Sequence, residues 1–85
     1  MSEVEDLGGA VYHLIQLAGD VEMIVGGQLG KLDEIEELMT VFEGTSSDHP
    51  TQMSMALLQA RTHINHVVRS MNSFIEHGEA YENRL

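Results

Sequence analysis

The chain has 85 residues, no cysteine, and fourteen acidic against four Lys or Arg side chains, for a formal net charge of −10. A chain this short forms one domain at most, and without cysteine neither a disulfide nor a thiolate metal site can stabilise it. An acidic surface repels phosphate groups, which makes nucleic acid and anionic membranes unfavourable partners and a basic protein a favourable one. The plainer interpretation is that the acids keep a small protein soluble.

The first half of the chain predicts one long helix over residues 3–43. Its apolar residues recur in alternating steps of three and four, a spacing that keeps them on one side of a helix. This first seam consists of Val4, Leu7, Val11, Leu14, Ala18, Val21, Val25, Gln28, Leu32, Ile35, Met39 and Phe42. It is widened by Ile15, Leu17, Ile24, Leu29 and Leu38. The apolar face is therefore broader than a two-stranded coiled coil needs.

Six glycines interrupt this predicted helix. They are Gly8, Gly9, Gly19, Gly26, Gly27 and Gly30. Each costs about 1 kcal/mol relative to alanine in a helix interior. The glycines indicate either a locally weak helix held by packing, or a close approach of another helix or a hinge over residues 26–30.

A polar turn over residues 44–50 and a second helix over about 48–83 follow. Gly44 suits the left-handed residue that often ends a helix, and Pro50 is acceptable in a first helical turn. The second seam consists of Leu57, Ala60, Ile64, Val67, Met71, Phe74, Gly78, Tyr81 and Leu85. A further stripe of Met53, Leu58, Val68 and Ile75 widens it.

Together these elements predict an all-α fold, a single antiparallel helix-turn-helix hairpin over residues 1–85. Two helices cannot hide both wide faces against each other, so a long apolar patch would remain exposed, and such patches mark partner surfaces. A four-helix bundle made from two hairpins covers the patch. We therefore expect a dimer or a heteromer, in which the partner is another helical hairpin, either a second copy or a paralogue.

The residues suited to chemistry are few. His63 and His66 lie one helical turn apart and are weak candidates for zinc or nickel, but no carboxylate follows either at the fourth position. The serines lack a nucleophile motif and the glycine pairs fit no phosphate loop. We expect no enzyme, no catalytic residue, no metal and no cofactor. Imidazole is the side chain that changes its charge near neutral pH, so histidines at an interface would make an assembly sensitive to pH.

No segment of the sequence is expected to insert stably into a membrane. The most apolar stretch, residues 8–30, contains His13, Gln16, Asp20 and Glu22, which a lipid-spanning helix does not tolerate. The first residues are acidic where a signal peptide is basic. We expect no cleavable signal peptide.

Two short motifs resemble those of a known family. Phe42-Glu43-Gly44 stands at the mid-chain turn, and Gly78-Glu79-Ala80-Tyr81 follows about forty residues later. In this arrangement the chain resembles the Trp-x-Gly small helical-hairpin proteins of type VII secretion, the early-secreted-antigen superfamily. Phe42 replaces the family's Trp. Leu85 stands where the family's Tyr-x-x-x-Asp/Glu export signal has an acid.

The resemblance implies a function in protein export. It implies a secreted substrate, or a targeting or escort partner of a larger effector with a helical N-terminal region. In this family two hairpins associate, and the turn motif of one lies near the tail motif of the other. The protein would be cytoplasmic before export and then secreted or at the cell surface. The alternatives are an acidic dimeric adaptor unrelated to secretion, and an antitoxin or immunity protein that neutralises a basic partner.

Overall fold

The computed structural model describes residues 3–42 and 48–85, with side chains from Asp6 onward in the first range. Helix α1 spans Glu3–Gly27, helix α2 Leu29–Met39, a 3₁₀ turn Thr40–Phe42, and helix α3 His49–Asn83. Across those two ranges there is no strand. The predicted all-α helical hairpin is confirmed.

The first long helix is bent at Gln28, which separates α1 from α2. The Gln28 amide donates to the Val25 carbonyl at 3.1 Å, and the Lys31 and Leu32 amides both donate to the Gln28 carbonyl at 3.1 Å. The bond from Gln28 to a residue three positions back is of the tighter 3₁₀ type, which marks a break in regular α-helix. The bend falls within the glycine-rich segment over residues 26–30, where the sequence indicated a hinge as one of the alternatives.

Helix α2 ends in a tight turn rather than running on to residue 43. The Thr40 amide is shared between the Glu37 and Leu38 carbonyls, and the Thr40 hydroxyl donates to the Glu37 carbonyl at 2.7 Å. These bonds satisfy carbonyls that a helix end leaves without partners. Residue 43 and most of the predicted turn, residues 44–47, lie outside the described ranges, and α3 begins with Pro50 in its first turn.

The helices run antiparallel and form a rod of 67 × 15 × 13 Å. At one end of the rod, a side-chain carbon added at Gly8 would lie 3.9 Å from Leu85. In the middle, a side-chain carbon added at Gly26 would lie 3.7 Å from Val68. Gly26 therefore faces α3, whereas Gly27 and Gly30 face open space. Of the glycines in that segment, only Gly26 lies where the other helix approaches.

The rod encloses almost no core. Ala18, 5% exposed, is the one buried residue among those whose burial is described. The other apolar residues between the helices are half-buried, because each keeps one flank open to solvent in a structure only two helices thick. A hairpin of this kind gains little from burial by itself, which makes its outer surfaces the informative part of the molecule.

Candidate helix-docking surface

One long side of the hairpin is apolar. Six of its residues are exposed by between 42% and 49% and belong to α1 and α3, and a seventh, Met71, is half-buried. We define this apolar side as Leu7, Leu14, Leu17, Val21, Met71, Phe74 and Tyr81. Leu7 and Tyr81 continue it by one heptad beyond Leu14 and Phe74, so it follows the rod axis.

A shallow groove lies at the centre of the apolar side. It has a volume of about 220 Å³ and is lined by Leu14, Leu17, Ala18, Val21, Met71 and Phe74. Both helices contribute, and none of the lining residues is charged. A partner could cover the groove without removing any charged side chain of the groove from water. This favours an apolar helix as the occupant.

The groove exists because the two helices meet through part of the predicted seam together with positions next to it. Ile15 and Ile75 are half-buried, whereas their chain neighbours Leu14 and Phe74 are exposed. One residue is a rotation of about 100° around a helix. Because Ile15 and Ile75 lie between the helices, Leu14 and Phe74 of the regular apolar pattern face outward and belong to the apolar side.

The residues predicted as the helix-packing seam divide accordingly. Val11, Val25, Leu32, Met39, Leu57, Ile64, Val67 and Met71 are half-buried. Leu14, Val21, Ile35 and Phe74 are exposed. Half-buried positions that the seam did not include are found among its neighbours, for example Ile15, Glu22, Leu29, Val68 and Ile75. The widening stripes in the sequence were the signal for four of these five, whereas nothing in the apolar pattern pointed to Glu22.

The opposite side of the hairpin holds polar links between the helices. The Arg61 guanidinium donates to Asp33 Oδ1 at 2.7 Å and to Glu36 Oε2 at 3.0 Å. With its amide nitrogen facing Glu22, Asn72 donates to the two carboxylate oxygens at 2.9 and 2.8 Å. These links hold α3 against α1 and α2, and we define this face as the polar side.

Arg61 is held in its charged form. Its hydrogen bond to Asp33 has the largest effect and raises the pKa of Arg61 above the ordinary value. Desolvation lowers the pKa by less than this, and the negative charges of Asp33 and Glu36 add to the rise. The carboxylates of Asp33 and Glu36 are largely exposed, so solvent screens the pair and its contribution to stability is small. The pair joins α2 to α3 on the polar side.

The two motifs of the family resemblance lie at opposite ends of the rod. Phe42 is 44% exposed at the end of the 3₁₀ turn, and its neighbours Glu43 and Gly44 lie outside the described residues. At the other end Tyr81 and Leu85 are exposed. Within one chain these motifs cannot touch, because the rod is 67 Å long.

Gly78 of the tail motif has a packing role of its own. A side-chain carbon at Gly78 would stand 3.1 Å from Ile15 Cγ1, which is closer than normal contact. The missing side chain lets α3 approach α1 at this point. Gly78 is not one of the six glycines that interrupt the first predicted helix.

The weak metal candidates His63 and His66 are both exposed on α3. Over residues 3–42 and 48–85, no three His, Asp or Glu side chains cluster in a way that could hold a metal ion. None of the helices in these ranges has the length and apolar character needed to cross a membrane.

The fold and this surface define a class: an all-α helical hairpin with one exposed apolar side. Comparison with protein families, with curated proteins and with solved structures finds no match to the chain.

Proposed function

We propose that this protein works by helix–helix binding, with its apolar side docked against a second helical hairpin in a four-helix bundle. The observation that carries the proposal is the uncharged groove between Leu14, Leu17 and Phe74, to which both helices contribute. A monomer with almost no enclosed core and a contiguous apolar side gains most when another apolar surface covers that side.

The family resemblance supplies the cellular setting for the proposal. We propose that the chain is a type VII secretion substrate, or a targeting or escort partner of a larger effector. The motifs at the two ends of the rod support this setting, because antiparallel association of two hairpins would bring Phe42 of one near Tyr81 of the other. Leu85 in place of an acid favours the escort role, in which the partner carries the export signal.

Mass measurement of two matched variants tests the docking proposal. Leu17→Glu places a charge in the groove, whereas Met23→Glu places the same charge at an exposed α1 position that the groove does not include. Light scattering at micromolar concentration should give a dimer for the unmodified chain and Met23→Glu, and a monomer for Leu17→Glu. If the unmodified chain is a monomer and no coexpressed hairpin from a neighbouring gene copurifies with it, the proposal is wrong.

Export is tested separately, in a strain that lacks the secretion ATPase. The protein should disappear from the culture medium of that strain and remain in the cells. Unchanged export, or no export from the parent strain, contradicts the secretion setting and leaves helix docking in place. No export from the parent strain would favour the acidic adaptor or immunity-type protein. Ten of the fourteen acids lie in residues 1–43, which agrees with that alternative.

A further inference from the structure

A second cleft lies between α2 and α3, near the turn end of the rod and beside the Arg61 ion pairs. It has a volume of about 500 Å³ and is lined by Glu36, Met39, Thr40, Ser54, Leu57, Leu58 and Arg61. We call it the turn-end cleft. It shares no lining residue with the groove of the apolar side, so the two surfaces can be occupied independently.

Three of the seven residues that line the turn-end cleft are apolar, and we call these three its floor. Met39 and Leu57 are half-buried, and Leu58 is 64% exposed. No residue of α2 or α3 is buried, which means that these two helices leave their apolar side chains incompletely covered where they meet. Methionine adapts its shape to an incoming side chain, so such a floor accepts apolar groups of a partner.

Helix α2 carries four acids next to the cleft, of which Glu36 belongs to the lining. Asp33, Glu34, Glu36 and Glu37 fall within five consecutive positions and are all exposed. Arg61 is the one cation paired with any of them in the parts of the chain that the structure describes, and it contacts Asp33 and Glu36. Glu36 and Arg61 balance each other within the lining, and the excess negative charge lies on the surface of α2 beside the apolar floor.

We propose that the turn-end cleft binds a basic amphipathic helix of a partner protein. Apolar side chains of that helix would enter between Met39 and Leu58, in the helix-in-groove mode, and its Lys or Arg side chains would face Glu37. Charge complementarity selects this occupant. A second copy of the chain, with its net charge of −10, would bring further negative charge to the cleft, and an anionic lipid surface would be repelled in the same way.

The test uses the full chain and a synthetic peptide of about 18 residues with Leu and Lys at helical spacing. Amide chemical shifts of the isotope-labelled chain should change along α2 and the first turns of α3. Leu58→Ser should weaken binding about tenfold, because it removes apolar surface from the floor. Leu38→Ser changes a residue of similar exposure outside the cleft and should leave the affinity unchanged.

Charge is tested with a second pair of variants. Glu37→Gln should weaken binding roughly threefold at low salt and have little effect at about 1 M salt, where charges are screened beyond about 3 Å. The control is Glu76→Gln, an exposed acid of α3 that lies toward the opposite end of the rod. Equal losses for the two variants would show that only total charge matters and would overturn the proposed site.

Three further results would also overturn the proposal. They are equal binding of a peptide with Glu in place of Lys, shifts that map to Leu17 and Phe74 instead of the cleft, and concentration-dependent shifts at Leu58 without peptide. Leu17→Glu separates this inference from the docking proposal, since it should abolish self-association and preserve peptide binding. Circular dichroism should show unchanged helicity for Leu58→Ser, whose side chain is mostly exposed.

Discussion

Replacing Gly19 with alanine should stabilise the hairpin, and the same change at Gly78 should not. Gly19 lies in the middle of α1 with nothing within 4 Å of an added side-chain carbon, whereas at Gly78 that carbon would stand 3.1 Å from Ile15 Cγ1 and 3.4 Å from Ile15 Cδ1. Both glycines are helical, so alanine fits the backbone at either position.

The magnitude follows from helix propensity and packing. Alanine is favoured over glycine by about 1 kcal/mol in a helix interior, and Gly19→Ala should realise most of this gain. For a chain of this size that corresponds to a rise in Tm of about 4–8 °C. At Gly78 the same gain is offset because Ile15 must move by a few tenths of an ångström, and overpacking costs about 1–3 kcal/mol. The net change there should be near zero or destabilising.

Thermal and urea unfolding, followed by circular dichroism at a single protein concentration, measure both variants. The concentration must be held constant because self-association raises the apparent Tm. Equal stabilisation by the two variants would refute the close approach of α1 and α3 at Gly78. Destabilisation by Gly19→Ala would show that an unobserved helix packs against that face of α1.

The remaining predictions concern the apolar and polar sides. Phe74→Ser should lower the Tm of the monomer only slightly, since Phe74 is 44% exposed, yet it should abolish dimer formation in sedimentation velocity; a stable dimer would place the interface elsewhere. Asn72→Asp should destabilise the fold by about 1 kcal/mol in urea unfolding, because it sets a second carboxylate against Glu22, and an unchanged midpoint would contradict that contact. Arg61→Gln should lower the Tm at low salt and have a smaller effect at high salt, since the lost ion pairs are exposed. Because the pKa of Arg61 is raised, its stabilising contribution is fully present below the ordinary pKa of arginine and is lost only as the pH rises above the folded-state pKa. The Arg61→Gln difference should therefore be constant between neutral and mildly alkaline pH, and a change in that interval would contradict the assignment.

Much of the architecture follows from local sequence. The apolar spacing, the glycine-rich segment over residues 26–30 and Pro50 were sufficient to predict two long antiparallel helices and to indicate where the first could bend. These features act through helix propensity and the rotation per residue, which depend on neighbours in the chain. The presence of excess apolar surface was predictable for the same reason.

Which apolar residues face outward was decided only by the tertiary structure. Leu14 and Ile15 differ by one position, as do Phe74 and Ile75, and both choices agree with the same helical period. The choice depends on contacts across the hairpin: the close approach at Gly78, the Arg61 ion pairs and the Asn72 link to Glu22. Such contacts join residues far apart in the chain, so no local pattern encodes them. The same contacts leave the groove around Phe74 open on one side and position the turn-end cleft beside Arg61.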